Sequence, residues 1–246
     1  MTDLVEEFKN LQGSSKTNLT QKAYQQIKEA ILFAKFKPGE FLSTNSLATI
    51  LDMSRTPIRE ALKELAKEGL VEMQPGKEAV VKDISEKDLI EIYELRELLE
   101  CKAVETAVKY ITLDEINNYK KTWVHLYQKI ESQEGKPNWE ELAKKDNELH
   151  YFIISKSENN RLKEFMKNLS QHHLRYQLLA AKSIGNPKET VEQHVKIIEA
   201  FENVIKENPG LTEKDYYADR QARIEGLKEL MGSHILAARE AAQRIL

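Results

Sequence analysis

Apolar residues recur at intervals of three and four along most of the chain, the spacing that places them on one face of an α-helix. In the first eighty residues this pattern predicts three short helices. The first carries Tyr24, Ile27, Ile31 and Ala34 on its buried face, and Thr20 is placed to cap its start. We therefore expect a small helical core in this region.

Two further helices follow with a tight turn between them, which gives the proportions of a helix-turn-helix. The first of the two begins after residues 43–44. The second opens at residues 54–57, where Ser54 or Thr56 can cap it and a proline is tolerated in the first turn. Gly69 is placed to end it.

A β-hairpin is predicted directly after these helices. Residues 70–74 and 78–81 are two short β-prone runs, and Pro75, Gly76 and Lys77 form a turn between them. A hairpin in this position is a wing, and a lysine at its tip can reach a phosphate or the minor groove.

The third helix carries four cations at steps of four, which share one broad face: Arg55, Arg59, Lys63 and Lys67. Glutamates lie beside them, so an ordinary solvated helix with ion pairs explains the charges equally well. The two arginines, however, stand in the first turns, where a recognition helix presents side chains to the major groove. Arginine also matches the O6 and N7 acceptors of guanine, so the position favours DNA reading.

Residues 20–83 resemble the DNA-binding domain of the GntR family of bacterial regulators. The resemblance rests on residues 54–62, on Leu65 and on residues 68–71. It implies double-stranded DNA as a partner, with contacts from Arg55, Thr56, Arg59, Asn45, Thr44, Lys63, Gly76 and Lys77. Asn45 and Pro75 stand where some relatives carry arginine and a polar residue, which leaves the base preference open.

Behind residue 84 the helical pattern continues to the end of the chain, in six or seven helices and no convincing strand. Thr112 and Glu115 form a predicted capping box. Helices are predicted over 139–154, from 159–160 onwards, over 191–205, and in a long last segment, with breaks at 134–137, 183–187 and 208–210. The helix after 159–160 is expected to carry Leu162, Phe165, Leu169 and Tyr176 on its inner face. The predicted fold is therefore mainly α: a flexible tail (1–17), a winged helix-turn-helix (18–83) and an all-helical bundle domain (84–246).

Four polar residues occupy otherwise apolar faces of three of these predicted helices: Asp146, His150, His194 and His234. A buried, unpaired carboxylate is costly, so one aspartate and three imidazoles at inward positions need a shared reason. A divalent cation supplies one. Each histidine alone can be a hydrogen-bonded core residue, and Asp146 with His150 can be only a helix-face pair, but their joint placement favours a metal site.

Arg96 is the remaining charged residue on an apolar face. An ion pair with Glu100 explains it, and so does an arginine that faces a cavity and binds a carboxylate beside the metal. The other histidines, His125 and the pair at 172–173, have no obvious partner.

Residues 84–246 resemble the all-helical effector domain of the FadR branch of the GntR family, known as the FCD domain. The matching segments are 93–96 with Glu100, 146–150, 157–162, 194–200 and 233–235. The resemblance implies that the four residues above bind a divalent metal, often zinc or nickel, and that a small organic acid binds beside it. Three histidines and one carboxylate also suit manganese or iron. Segment 208–220 is longer than in relatives.

Composition narrows the class further. The chain has 246 residues, 41% hydrophobic and 31% charged, which suits two globular domains rather than a disordered protein. A single cysteine, Cys101, makes no internal disulfide, which indicates a reducing cytoplasm. We expect no signal peptide and no membrane partner, because no stretch approaches the ~20 apolar residues of a membrane span.

These observations predict a transcription regulator, a repressor in the family's usual mode, that binds a palindromic operator as a homodimer. A small organic-acid effector bound beside the metal would modulate it. One alternative is a regulator that senses the metal ion itself. Another is a metal-dependent enzyme fused to a DNA-binding domain, but no general base or nucleophile lies on an inward face, so we expect no enzyme activity.

Overall fold

The computed structural model describes residues 19–73, 76–132, 138–180, 186–206 and 212–243. The chain divides into two compact units after Ser85, close to the predicted boundary between 83 and 84. The predicted flexible tail of residues 1–17 lies outside the described residues.

The first unit contains three helices and a small sheet: α1 (Leu19–Leu32), β1 (Phe41–Leu42), α2 (Thr44–Ile50), α3 (Arg55–Lys67), β2 (Val71–Glu72) and β3 (Ala79–Val81). The sheet is antiparallel with the order β1-β3-β2. Strands β2 and β3 are the predicted wing, with Val71 opposite Val81. Strand β1 was not predicted, because two residues between a turn and a helix carry no alternation to detect.

The end of α1 corrects the prediction for Ala34 and Thr20. The helix ends at Leu32, and Ala34 adopts a left-handed conformation with φ of 54°. The amide of Lys35 donates to the carbonyl of Ala30 at 2.8 Å, which is the bond that closes such a helix end. Thr20 lies inside the helix rather than at its cap, because α1 already includes Leu19.

The helix-turn-helix has the predicted boundaries. Ser43 caps α2 and accepts from the amide of Ser46, and Asp52 turns the chain with φ of 52°. Ser54 precedes α3 as its cap residue but makes no side-chain cap hydrogen bond. Gly69 follows α3 with φ of 75°, which glycine adopts without strain. The unit's core contains Ile27, Ile31, Leu47, Ile58, Leu62 and Leu65, all buried.

The described part of the second unit is all-helical, as predicted, with six helices: α4 (Glu86–Ala107), α5 (Leu113–Glu131), α6 (Trp139–Ser155), α7 (Asn160–Ala180), α8 (Pro187–Ile205) and α9 (Glu213–Gln243). Helix α4 packs along α9, α5 along α8 and α6 along α7. Helix α4 also contacts α6 and α7, so it lies at the centre of the bundle.

Side-chain caps fix where these helices start. The Thr112–Glu115 capping box at α5 is confirmed, with both reciprocal hydrogen bonds present. Asn138 caps α6 through the amide of Glu141 at 3.1 Å, and Asn186 caps α8. The helical repeat then places the buried polar residues of α6 and α8 on the same face as the buried apolar residues of each helix.

One buried-face prediction in α7 is wrong. Phe165 is 56% exposed, and Met166 is buried in its place, whereas Leu162, Leu169 and Tyr176 are buried as predicted. The predicted breaks at 134–137 and 208–210 lie outside the described residues, as do 183–185 of the third. No helix in the described part of the chain has an apolar stretch long enough to cross a bilayer.

Candidate metal centre and nucleic-acid interface

The structure brings the four predicted metal ligands together in the core of the second unit. Asp146 and His150 stand one turn apart on α6, His194 comes from α8 and His234 from α9. All four are buried, and one ligand atom from each lies within 4.8 Å of the others. The converging stripes read from the sequence therefore meet at one point.

The carboxylate of Asp146 lies at the centre of the three imidazoles. Its Oδ1 is 2.9 Å from the Nε2 of His194, 3.8 Å from the Nε2 of His150 and 4.0 Å from the Nε2 of His234. The Nε2 atoms of His150 and His234 are 3.2 Å apart. One oxygen and three ring nitrogens thus face a common centre.

A second layer of acceptors surrounds the three histidines of the cluster. The Nδ1 of His150 faces Oε2 of Glu100, that of His194 faces the Thr190 carbonyl at 2.7 Å, and that of His234 faces Oε1 of Gln193 at 2.8 Å. A neutral ring that donates from Nδ1 to such an acceptor presents the lone pair of its Nε2 to the centre. Such a layer is typical of histidines that bind metals.

The arrangement fits a divalent cation and is poorly satisfied without one. The Nε2 of His194 is buried and has no hydrogen-bond partner among the described residues, despite its proximity to Asp146. When both rings donate from Nδ1, the Nε2 atoms of His150 and His234 face each other at 3.2 Å with lone pairs only. A cation accepts all three lone pairs and neutralises the carboxylate, and one oxygen with three imidazoles suits zinc or a similar metal.

The protonation states suit metal binding as well. Burial raises the pKa of Asp146, but His150 and His194 outweigh it and hold that pKa well below its usual range. Burial, followed by the neighbouring His194 and His150, lowers the pKa of His234 well below its usual value. The carboxylate is therefore ionised and this imidazole neutral, which are the forms that coordinate metals.

Arg96 pairs with Glu100, which is the first of the two explanations that the sequence left open, and an effector contact by Arg96 stays a prediction. Its Nε donates to Oε1 of Glu100 at 2.7 Å, and both side chains are buried. Although burial raises the pKa of Glu100, Arg96 and His150 lower it to about 2, so the carboxylate stays charged. Arg96 thus reaches the metal cluster only through Glu100 and His150.

His173 is a buried member of this network that sequence reasoning missed. Its Nε2 contacts the guanidinium of Arg96 and lies 3.1 Å from the hydroxyl of Tyr93. Burial and the charge of Arg96 hold the pKa of His173 well below its usual value. Its spacing from Met166 and Leu169 on α7 was the available signal, because it places the histidine on the buried face.

A cavity of about 310 Å³ adjoins the metal cluster. Asp146 and His234 line it, together with Gln177, whose Nε2 donates to Oδ2 of Asp146 at 2.8 Å. Arg96 is absent from the lining that the described residues provide. The cavity therefore gives a small molecule access to two of the four ligands.

On α3 the charges separate into paired lysines and unpaired arginines. Lys63 binds Glu60 at 2.8 Å and Lys67 binds Glu64 at 2.7 Å, while Glu68 is held by Lys28 of α1. The arginines of the first two turns, Arg55 and Arg59, are exposed and make no hydrogen bond or ion pair with any described residue. They are available to a partner.

The other predicted DNA-contacting residues lie on the surface of the same unit. Thr56 is exposed beside Arg55, and Asn45 is exposed at the start of α2, where Thr44 is half-buried. Gly76 and Lys77 are exposed before β3, and Gly76 has φ of 73°. Pro75 lies outside the described residues. The DNA contacts of all these residues stay predictions.

Two family descriptions match the chain. "Bacterial regulatory proteins, gntR family" matches residues 19–81, and "FCD domain" matches residues 91–204. The uncharacterized HTH-type transcriptional regulator YdhC of Bacillus subtilis (strain 168) is 26% identical over 208 residues, 85% of this chain and 90% of YdhC. These families and relatives are transcriptional regulators rather than enzymes.

Two further similarities concern a shorter segment and the fold. The gluconate operon transcriptional repressor of Bacillus subtilis (strain 168) is 36% identical over 95 residues, which is 39% of each chain. The solved structure of E. coli McbR/YncC superimposes with a TM-score of 0.71 at 22% identity, covering 93% of this chain and 98% of that one. The second similarity shows a shared fold.

Proposed function

Because the chain belongs to the GntR family of bacterial transcription regulators and carries an FCD domain, we propose that it is a repressor controlled by a small carboxylic acid bound beside a divalent metal. The observation that carries this proposal is the buried cluster of one carboxylate and three imidazoles, whose ligand atoms lie within 4.8 Å of one another. A DNA-binding domain joined to such a cluster suits a ligand-dependent switch.

The proposed DNA contacts begin with the two unpaired arginines. Arg55 and Arg59 can each donate two hydrogen bonds to a guanine in the major groove. We propose that phosphates and neighbouring bases are contacted by six further residues: Thr44, Asn45, Thr56, Lys63, Gly76 and Lys77. We propose that a homodimer presents two such surfaces to a palindromic operator, with half-sites about one helical turn apart.

In the second unit, Asp146, His150, His194 and His234 would hold the metal. We favour zinc or nickel, and manganese or iron also suit the donor set. The bound metal would supply a Lewis-acidic position for one carboxylate oxygen of the effector. The cavity supports this role, because Asp146 and His234 contribute to both the cluster and the cavity wall.

The chain's own residues would prepare this site before the effector arrives. Glu100, Thr190 and Gln193 hold the three imidazoles with their Nε2 atoms inward. Arg96 keeps Glu100 charged and fixed. Preorganised ligands lose little freedom on binding, which raises affinity.

The effector can change operator affinity only as far as it binds two states of the protein unequally. We favour repression, since the relative that is 36% identical over 95 residues is named a repressor. The single cysteine, Cys101, agrees with the cytoplasmic location that we propose for such a regulator.

The test uses the full chain, loaded with Zn²⁺ or stripped with a chelator. Genomic fragments that the protein retains are sequenced, and affinity for the recovered site is measured with and without a panel of small carboxylic acids. We expect at least one acid to change operator affinity at saturating Zn²⁺. If Zn²⁺ alone changes it and no acid does, the protein senses the metal itself, and turnover of an acid would identify an enzyme.

A further inference from the structure

The cavity beside the metal cluster carries more negative charge than a pocket for a simple acid requires. Besides Asp146, two glutamates line it: Glu189 of α8 and Glu240 of α9. Both are exposed, so they lie at its opening, and neither makes an ion pair or hydrogen bond with another described residue. No lysine or arginine belongs to the described lining, so the charged side chains of the lining itself are all acidic or metal-binding.

The amide of Gln177 belongs to the cavity wall next to the metal cluster. Its Nε2 donates to Oδ2 of Asp146 at 2.8 Å, and its Oε1 is buried without a hydrogen-bond partner in the described structure. Because that oxygen has almost no solvent-accessible surface, a ligand in the cavity does not reach it. The acceptors at the opening that a ligand can reach therefore include the carboxylates of Glu189 and Glu240.

The charge of the loaded site leads to the same ligand chemistry. Three carboxylates around one divalent cation leave one uncompensated negative charge in the cavity. A monocarboxylate would add a second negative charge and a dicarboxylate a third, whereas a zwitterion adds none. Like charges brought together in a partly enclosed site repel one another, and an ammonium group placed between two carboxylates is attracted.

We propose that the effector is a small amino-carboxylic acid. Its carboxylate binds on the side of Asp146 and His234, and its ammonium group donates to Glu189 and Glu240 at the opening. The volume of about 310 Å³ corresponds to about ten water molecules, which limits the ligand to a small molecule. The proposal rests on the proposed function, because it needs the metal to receive the carboxylate.

The test compares four acids of equal chain length on the Zn²⁺-loaded full chain by calorimetry: pentanoate, glutarate, 5-aminopentanoate and 2-aminopentanoate. They differ only in carrying a methyl end, a second carboxylate, or an ammonium group at either end. We expect one of the two amino acids to bind at least tenfold more tightly than both pentanoate and glutarate. Equal or tighter binding of pentanoate or glutarate would overturn the inference.

A variant carrying both Glu189→Gln and Glu240→Gln tests whether these two carboxylates cause the preference for the amino acid. We expect it to lose at least fivefold of the preference for the amino acid over pentanoate, with glutarate binding more tightly than before. The matched control is Glu229→Gln, an exposed glutamate of α9 that does not line the cavity, and it should keep the preference. A preference that survives in the double variant would refute the assignment.

The binding results distinguish a wrong ligand class from a missing effector site. If Zn²⁺ binds but none of the four acids does, the effector site itself is contradicted, and the amino-acid preference falls with it. If the acids bind without regard to the ammonium group, the effector site stands and only its ligand class is overturned.

Discussion

The two units of the molecule differ in where their functional charged side chains lie. In the first, the cations of α3 lie in solvent, and the lysines are paired with glutamates one turn away. In the second, Arg96 and Glu100 form a buried pair within α4, and they contact His173 of α7 and the metal ligand His150 of α6. The first arrangement leaves Arg55 and Arg59 free for a partner, whereas the second leaves no member free.

This difference has an energetic consequence. Exposed ion pairs contribute little to stability, so the charges of α3 can be exchanged for contacts to a phosphate or base at small cost. A buried pair is different, because removal of one partner leaves an uncompensated charge in the core. We therefore expect substitutions in the first unit to change binding, and substitutions in the second unit to change stability and metal affinity together.

The largest effect is expected from Glu100→Gln. It leaves Arg96 buried without its counter-charge, so the free energy of unfolding should fall by about 3–5 kcal/mol. It also weakens the acceptor of His150, and metal affinity should fall by about 10- to 100-fold. Denaturant titration and a competitive chelator measure the two quantities.

Two variants control that experiment. Glu94→Gln, on the exposed side of α4, should change the unfolding free energy by less than about 0.5 kcal/mol. The double variant Arg96→Met with Glu100→Leu removes both charges and should recover most of the stability but not the metal affinity. If Glu100→Gln lowers the free energy of unfolding by less than about 1 kcal/mol, the buried pair does not stabilise the fold as we expect.

Arg59→Ala should act on DNA and leave stability unchanged. We expect operator affinity to fall by about 1–3 kcal/mol and one base position to become tolerant of substitution. Lys63→Ala should instead weaken all sequences equally and reduce the salt dependence by about one ion. Binding titrations over a library of operator variants compare the two. Indistinguishable profiles would mean that Arg59 contacts only the backbone.

The buried histidine of the network predicts a pH dependence. His173 is neutral in the folded state because its pKa is held well below its usual value, whereas the unfolded chain protonates it near pH 6.5. Below that pH the unfolded state binds the extra proton, so stability falls as the pH falls, by up to ~1.4 kcal/mol per pH unit. His173→Gln should flatten the curve between pH 6.5 and 5.5.

The matched control is His125→Gln, which removes an exposed histidine and should leave the slope unchanged. Unfolding is measured for all three proteins at both pH values and equal metal concentration. Parallel curves for wild type and His173→Gln would contradict the buried, neutral state of His173.

The smallest effect is expected from Glu60→Gln, which releases Lys63 from its ion pair on α3. The melting temperature should not change measurably, since both side chains are exposed. Operator affinity should rise by about two- to fivefold at low salt, because Lys63 no longer has to break its pair with Glu60 to reach a phosphate. Weaker operator binding would show that Glu60 itself helps to orient the surface.

Most of the fold could be predicted from local signals. The helix starts at Leu113 and Asn160 follow from the side chains of Thr112 and Asn159, which act within one turn, and the α3–wing order follows from Gly69 and two β-prone runs. Strand β1 could not be predicted, because it depends on pairing with β3, and neither could the end of α1 at Leu32, because no glycine marks it. Ala34 in particular takes a left-handed conformation that its own sequence does not favour.

The candidate site divides in the same way. Asp146 and the histidines were found because each interrupts an apolar stripe on its own helix. The network around them was not, since the contact between Arg96 and His173 depends on how α4 packs against α7. The acidic opening at Glu189 and Glu240 is likewise a property of two helices together, and neither residue stands out within its own segment.

Metal content is the decisive quantity, because ligand sensing depends on the four-residue cluster. The full chain is incubated with Zn²⁺ and dialysed extensively, and its metal content is measured by elemental mass spectrometry. The same measurement is made on His194→Ala, on Asp146→Ala and on the exposed control His125→Gln. We predict one divalent ion per chain in the wild type and the control, and none in the two cluster variants. A wild-type protein that retains no metal, or a His194→Ala protein that retains as much as the wild type, would contradict the metal centre.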